Sequence, residues 1–263
     1  MPNFDEIFIN NENDSYSDIL VVLCLAGLGK RFVDEGYKTP KFLLPYKDKK
    51  TSILEEIIKN FILSGISEFF LVLNNRDKKW KKVIFDIGEN LKVNLHIDFI
   101  DDTKGQAETA FIATQIIKDG IYSFEMSKKP IAFHNGDTIL KNRNFKKIKK
   151  IIKNDVDGVI DSFNSKSNNF SYISIDNKDF VKEIVEKKII SNRATSGLYI
   201  FSNYNTYRAF YKKIDFSKKE LFISDVYTQV LKSKSKVINV HNKDSKDTII
   251  LGTPVEYEEW MNK

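Results

Sequence analysis

An apolar run near the start of the chain, Ile19-Leu20-Val21-Val22-Leu23-Cys24-Leu25, empties into Ala26-Gly27-Leu28-Gly29-Lys30-Arg31-Phe32, and Pro40-Lys41 follows. Glycines let a backbone approach a ligand closely and adopt positive φ. Main-chain N–H groups and nearby cations then suit a phosphate. The spacing Gly27-x-Gly29 does not complete a dinucleotide fingerprint, because Phe32 stands at the sixth position, and no Gly-Lys-Ser/Thr closes a P-loop. A strand-end turn with surface cations is the plainer alternative for this segment. Further along, Asn135-Gly136-Asp137 follows the short apolar run Ile131-Ala132-Phe133-His134. The glycine allows a turn that faces the Asp137 carboxylate into a crevice. A turn aspartate or helix cap is the alternative. Gln106, after Gly105, can both donate and accept hydrogen bonds, or simply start a helix. Ser224-Asp225 reads equally well as a helix cap.

These residues need a frame that brings them to one place. Ser52 with Glu55 forms a capping-box pattern, Ile53, Leu54, Ile57, Ile58 and Phe61 make one helical face, and Gly65 fits the helix end. Strands are predicted at Phe69 to Leu73, Val93 to Phe99 and Ile131 to His134, with helices around Lys79 to Ile87 and Ala107 to Ile117. Such alternation implies an α/β fold with a mostly parallel sheet, whose ligands sit at the carboxyl ends of the strands. Gly27, Gly105 and Asp137 each follow a predicted strand, so they converge on one rim. The second half is richer in strands: Val156 to Ser162, Phe170 to Ile175, Phe180 to Val185, Ser196 to Phe201 and Val237 to Val240. Asn177-Lys178-Asp179 is the expected hairpin turn. Helices are expected at Tyr204 to Tyr211 and Asp225 to Leu231, with a last one opened by Thr253-Pro254. No internal repeat or Pro/Gly-rich linker appears. One domain over residues 18–263 is expected, preceded by a flexible acidic extension at 1–17.

The run Ala26-Gly27-Leu28-Gly29-Lys30-Arg31-Phe32 with Pro40-Lys41 resembles the activation signature of the sugar-1-phosphate nucleotidylyltransferases, and four more landmarks follow in that family's order. They are Gly105-Gln106-Ala107, Asn135-Gly136-Asp137, Glu186-Lys187 and Ile223-Ser224-Asp225. The resemblance implies a single-domain, Rossmann-like nucleotide-diphospho-sugar transferase fold, GT-A-like, with a mixed, mainly parallel sheet. It implies an enzyme in which an acceptor's phosphate attacks the α-phosphorus of an NTP and pyrophosphate leaves. Both reactants are anions, so holding them in line and neutralising charge is the main task. Arg31 would clamp the β- and γ-phosphates, and Lys41 would meet the α-phosphate. Leu25, Ala26, Gly27, Gly29, Gly105 and Gln106 would hold the nucleotide. Asp137 and Asp225 would grip Mg²⁺ from opposite sides. Lys187 would meet the acceptor's phosphate, Glu186 would bind part of the acceptor or orient Lys187, and Gly197 would line the acceptor side; an exposed charged strand end is the plainer alternative for Glu186-Lys187. Ala26 stands where the family often carries a further glycine. Phe32, Gly36-Tyr37 and Ala194 to Tyr199 look like a branch tied to capsule and surface-polysaccharide clusters, which favours CTP and widens the acceptor beyond sugar phosphates.

Composition narrows the classes. The chain has 263 residues, of which 41% are hydrophobic, enough to bury a substantial core. The net charge of +6 comes from scattered lysines, as in Lys146-Lys147-Ile148-Lys149-Lys150, rather than from a nucleic-acid patch. The single cysteine, Cys24, falls inside the first strand as a buried thiol, and excludes an internal disulfide. No stretch of about 18 apolar residues occurs, so no membrane partner is expected. A cytoplasmic protein is expected, and a homo-oligomer is left open. His96, His134 and His241 lack metal-ligand spacing and read as packing or surface residues. Asp155-x-Asp157 matches a glycosyltransferase metal motif but lies where a solvated turn is expected. A GT-A-type glycosyltransferase using a nucleotide-sugar is the rival enzyme class. A catalytically degenerate nucleotide sensor is the non-enzyme rival.

Overall fold

The first strand, β1 (Leu20–Cys24), carries apolar side chains on both faces, and it lies at the centre of the molecule. Val21 and Leu23 point into one core layer, Leu20 and Val22 into the other. That is the period-two alternation of a strand covered on both sides. The computed structural model describes residues 19–47, 50–120, 127–152 and 156–263. The expected acidic extension and Asp155 lie outside the described residues.

Around β1 the sheet runs β10 (Val237–Asn242), β6 (Gly158–Asn164), β9 (Arg193–Phe201), β4 (Ile131–Asn135), β1, β2 (Glu68–Asn74), β3 (Asn94–Ile100). Pairings are parallel except those of β9, which runs antiparallel between β4 and β6. A hairpin of β7 (Tyr172–Ile175) and β8 (Val181–Val185) attaches to β9. Its turn is closed by Asp176, which accepts from the N–H groups of Lys178 and Phe180.

Helices cover both faces. On one lie α2 (Ile53–Leu63), α3 (Lys81–Leu91) and α5 (Phe145–Ile152); on the other lie α4 (Gln106–Asp119), α6 (Tyr204–Tyr211) and α7 (Ile223–Lys232). The Ser52 hydroxyl accepts from the Glu55 N–H at 3.2 Å, and Gly65 takes φ 86° after the helix, as the residue pattern predicts. Burying the five apolar residues of α2 contributes roughly 10 kcal/mol as an upper bound. The run Lys146 to Lys150 sits on α5, which buries Phe145, Ile148 and Ile152 and leaves its lysines outward.

Three elements lie beyond the sequence-based expectations. A short helix, α1 (Lys30–Asp34), starts directly after the glycine loop. Strands β5 (Thr138–Leu140) and β11 (Thr248–Ile250) pair antiparallel in a separate two-stranded sheet, and β11 leads to the last helix, α8 (Pro254–Met261). Arg143 fastens that small sheet to the main one. Its Nε and Nη2 donate to the Asp161 carboxylate at 2.9–3.2 Å, Nη1 to the carbonyls of Lys141 and Asp247, and Nη2 to Thr248 Oγ1. Burial pushes the Asp161 carboxyl up, against the pull of Arg143 and Ser196. No described helix is long and apolar enough to cross a membrane.

Candidate active site

The carboxyl ends of β1, β2, β3 and β4 and the start of β9 surround a cleft of about 1140 Å³. Every expected site residue except Asp225 lines it. The parallel strands end on one rim, so the loops that follow them meet there, as anticipated from the positions of Gly27, Gly105 and Asp137.

The glycine loop forms one wall. Gly29 takes φ 58°, and its carbonyl accepts from the N–H groups of Phe32 and Val33. Nothing lies within 4 Å of the point where a Cβ on Gly27 would stand, so that backbone is open to the cleft. The Leu25 side chain is buried and packs against Gly136, where a Cβ would meet Leu25 Cδ2 at 2.2 Å. A larger residue in the turn before Asp137 would therefore have to displace the buried Leu25 side chain. Arg31 is exposed on α1 at the rim. Cys24 is half-buried rather than enclosed, lines the cleft, and has its thiol pushed up by burial, so it stays protonated.

Pro40 opens a single 3-10 turn, Lys41–Leu43, that aims Lys41 at the cleft floor. There the Lys41 ammonium donates to Asp137 Oδ2. Burial alone would raise the Asp137 carboxyl. The Lys41 charge and hydrogen bond, with the Thr138 hydroxyl, hold it below the usual carboxylate range instead. An ammonium seated on a mostly buried carboxylate is a stand-in cation. The hard oxygens of Asp137 therefore fit the divalent cation that the resemblance implies. When bound there, such an ion would neutralise phosphate charge.

Gln106 begins α4, but its amide donates to Asn135 Oδ1 instead of standing free toward a base. Asn135 also abuts Gly197, which takes φ 81° and where a Cβ would come within 2.4 Å of Asn135 Nδ2. Gln106, Asn135 and Gly197 thus form a continuous floor between the glycine loop and the opposite wall. Asn135 is a site residue in its own right, visible in sequence only as part of the turn motif. The wall beyond β2 and β3 is closed by Arg76 and Asp102, 2.8 Å apart, with Asn74 donating to the same Asp102 oxygen. Nothing in their sequence spacing pointed to them.

On the opposite wall, Glu186 Oε2 accepts from the hydroxyls of Ser171 and Ser224, which fixes the carboxylate's orientation. Lys187 takes φ 52° and lays its ammonium 4.6 Å above the Phe222 ring, 4.0 Å from Glu220. The segment carrying Glu220 and Phe222 is fastened to the Gly105 loop. Leu221 N–H donates to the Lys104 carbonyl at 2.8 Å, and Ala107 N–H to the Leu221 carbonyl at 3.0 Å.

Asp225 stands apart from the other expected site residues. Its Oδ2 accepts from the Phe222 N–H at 2.9 Å, capping α7, and its Oδ1 pairs with Lys218 at 2.5 Å. It does not line the cleft, so the structure does not bring Asp225 and Asp137 together. Among the described residues no group of three or more His, Cys, Asp or Glu could hold a metal. The histidines are structural. His134 is buried against Phe61, His96 stacks on Phe70, and His241 Nδ1 meets Ser162 Oγ. Asp157 stands before β6, at the end of the sheet opposite the cleft, and accepts from the Lys236 N–H. The glycosyltransferase reading of that motif therefore lacks a cleft.

Two solved structures are similar in fold. A nucleoside-diphosphate-sugar pyrophosphorylase from Vibrio cholerae RC9 matches with TM-score 0.79 and 22% identity, over 92% of this chain and 100% of that one. A protein from Bacillus anthracis assigned as a glucose-1-phosphate thymidylyltransferase, solved with a sucrose, matches with TM-score 0.75 and 16% identity, over 93% and 94%. No curated protein gives a match. A family model for nucleotidyl transferases matches residues 20–262, from the first residue of β1 to the end of α8. Almost the whole chain, cleft included, thus falls within that match, and the protein belongs to the nucleotidyl transferase family of enzymes.

Proposed function

We propose that the cleft joins an NTP to a sugar 1-phosphate or another small phosphorylated metabolite and releases pyrophosphate, with Mg²⁺ as cofactor. The observation that carries this reading is the Lys41–Asp137 pair on the cleft floor, between the open glycine loop and the Glu186–Lys187 wall. An acceptor phosphate oxygen entering past Lys187 attacks the α-phosphorus, and the bond to the bridging oxygen of the leaving pyrophosphate breaks. Lys41 stabilises charge on the α-phosphate, and Arg31 holds the departing β- and γ-phosphates in bidentate fashion. Glu186, oriented by two serine hydroxyls, accepts from acceptor hydroxyl or amine groups. The names of the two similar structures, a pyrophosphorylase of nucleoside-diphosphate sugars and a glucose-1-phosphate thymidylyltransferase, support a sugar phosphate as acceptor. The residues shared with the capsule and surface-polysaccharide branch favour CTP and a role in supplying polysaccharide precursors.

The test is calorimetric titration of ATP, CTP, GTP, UTP and dTTP with and without Mg²⁺, using UDP-glucose as control. A pyrophosphate-release screen of sugar 1-phosphates and other phosphorylated metabolites follows. One NTP bound preferentially with Mg²⁺, then turned over with a phosphorylated acceptor, is the expected result. Binding of UDP-glucose alone would replace this reading with a glycosyltransferase. Binding of nothing would leave a degenerate member.

A further inference from the structure

The reading above requires a divalent cation, and the structure engages Asp225, the expected second carboxylate, elsewhere. A different carboxylate lies near Asp137, at Gly252. Glu256 lines the cleft from the first turn of α8, across Gly252. A Cβ built on Gly252 would stand 3.4 Å from Asp137 Oδ2 and 3.5 Å from Glu256 Oε2. One carboxylate oxygen of each residue therefore lies within 3.5 Å of the space that the missing side chain leaves. We infer that Glu256 is the second carboxylate for the cation at Asp137, with Gly252 leaving the space between them and Lys41 occupying Asp137 until the cation arrives.

Three features support this assignment. The Lys41 ammonium already sits on the Asp137 oxygen that borders the gap, so a positive charge is favoured at that point. Leu251 N–H donates to the Asp137 carbonyl at 2.8 Å, which couples the backbone before Gly252 to the Asp137 turn. The first turn of α8 is held firmly. Thr253 Oγ1 accepts from the Glu256 N–H at 3.2 Å, and Tyr257 donates to the Pro45 carbonyl at 2.8 Å. Glu256 therefore projects from a fixed element, whereas moving Asp225 to the site would uncap α7. Mg²⁺ and Mn²⁺ are commonly held by one or two carboxylates plus phosphate oxygens and water, so this pair is a sufficient protein contribution.

The inference rests on the proposed cation-dependent transfer, and one experiment separates the two. Mn²⁺ is titrated into the full chain, read by the loss of the free-ion electron paramagnetic resonance signal, alone and with each of the five NTPs. Thermal melts confirm that every variant folds. Glu256→Gln and Gly252→Ala should each weaken Mn²⁺ binding about tenfold, Asp137→Asn should abolish it, and Asp225→Asn should change it less than twofold. Gly252→Ala is a folding-tolerant probe, since its φ lies outside the left-handed region and both contacts are of ordinary van der Waals length. If Asp137→Asn loses Mn²⁺ while Glu256→Gln and Gly252→Ala bind like the parent, the role of Glu256 is overturned and the cation-dependent reading stands. If the parent takes up no Mn²⁺ under any condition, both fall.

Discussion

Replacing Gly105 with alanine tests how the cleft is held together. Gly105 has φ 138° and ψ −174°, a region open in practice only to glycine. A Cβ there would stand 2.6 Å from the Leu221 carbonyl oxygen and 3.0 Å from the Leu221 nitrogen. Both are backbone atoms, so no side-chain rotation relieves the clash. The two hydrogen bonds that join Leu221 to Lys104 and Ala107 cross the same contact. Backbone strain costs roughly 1–3 kcal/mol, and each stretched hydrogen bond about 1 kcal/mol. The expected loss is about 3–5 kcal/mol, against a total of roughly 5–15 kcal/mol for a typical domain. Urea unfolding should show a lower midpoint at an unchanged m-value, and the melting temperature should fall by roughly 10 °C. In the remaining folded protein, the segment bearing Glu220 and Phe222 moves away, and acceptor KM should rise because Lys187 loses its Phe222 support. A loss below about 1 kcal/mol would refute the argument that this contact locks the two loops.

Three other changes have separable outcomes. Gly27→Ala meets no atom within 4 Å and no left-handed φ, so stability should hold or rise by about 0.5 kcal/mol, while NTP affinity measured by calorimetry falls because the methyl occupies the phosphate approach. Arg143→Met leaves Asp161 buried without its counter-charge and should cost about 3–5 kcal/mol in urea unfolding; adding Asp161→Asn should recover part of that. Burial holds the His134 imidazole neutral down to about 4, while in the unfolded chain it titrates near 6.5. Its folded pKa is depressed, so its contribution is complete above about 6.5 and is lost as pH falls toward about 4, at about 1.4 kcal/mol per pH unit. Between pH 6.5 and 5 the parent should therefore lose about 2 kcal/mol more than His134→Gln, measured by urea unfolding at each pH. Equal losses in the two proteins would show that His134 is not the group responsible.

Much of the frame was legible because its signals are local. The apolar face of α2 with its Ser52 cap, and the Asp176-to-Phe180 turn, are each written within a dozen residues. The strands β5 and β11 were not, because three residues are too few to display a period. Arg143 fastens them, and its distant partners come from two other parts of the chain, Asp161 and the adjacent Asp247 and Thr248. Sequence order brought Gly27, Gly105 and Asp137 to one rim, since the ends of strands determine that. It could not determine where each side chain spends its hydrogen bonds. Gln106 and Asn135 are 29 positions apart, one at the start of α4 and the other at the end of β4, and only the assembled fold brings them together.

The same distinction explains why we assign the second carboxylate to Glu256, although the sequence points to Asp225. Asp225 follows a serine at a helix start, where a carboxylate serves an N–H as readily as a cation, and the nearby Lys218 completes its coordination by protein groups. A cation there would have to displace both partners and leave the first turn of α7 uncapped, at about 1 kcal/mol for the cap alone. Glu256 belongs to Val255-Glu256-Tyr257-Glu258-Glu259, which reads as a solvated acidic helix face, and nothing local separates it from its neighbours. Glu258 is taken by the Tyr37 hydroxyl at 3.1 Å. Glu256 instead meets the glycine gap beside Asp137, where the competing cation is Lys41, a group the proposed chemistry itself needs released. Displacing Lys41 therefore frees the ammonium for the α-phosphate at the moment the cation site fills. No such gain accompanies displacement of Lys218, and this asymmetry favours Glu256 over Asp225.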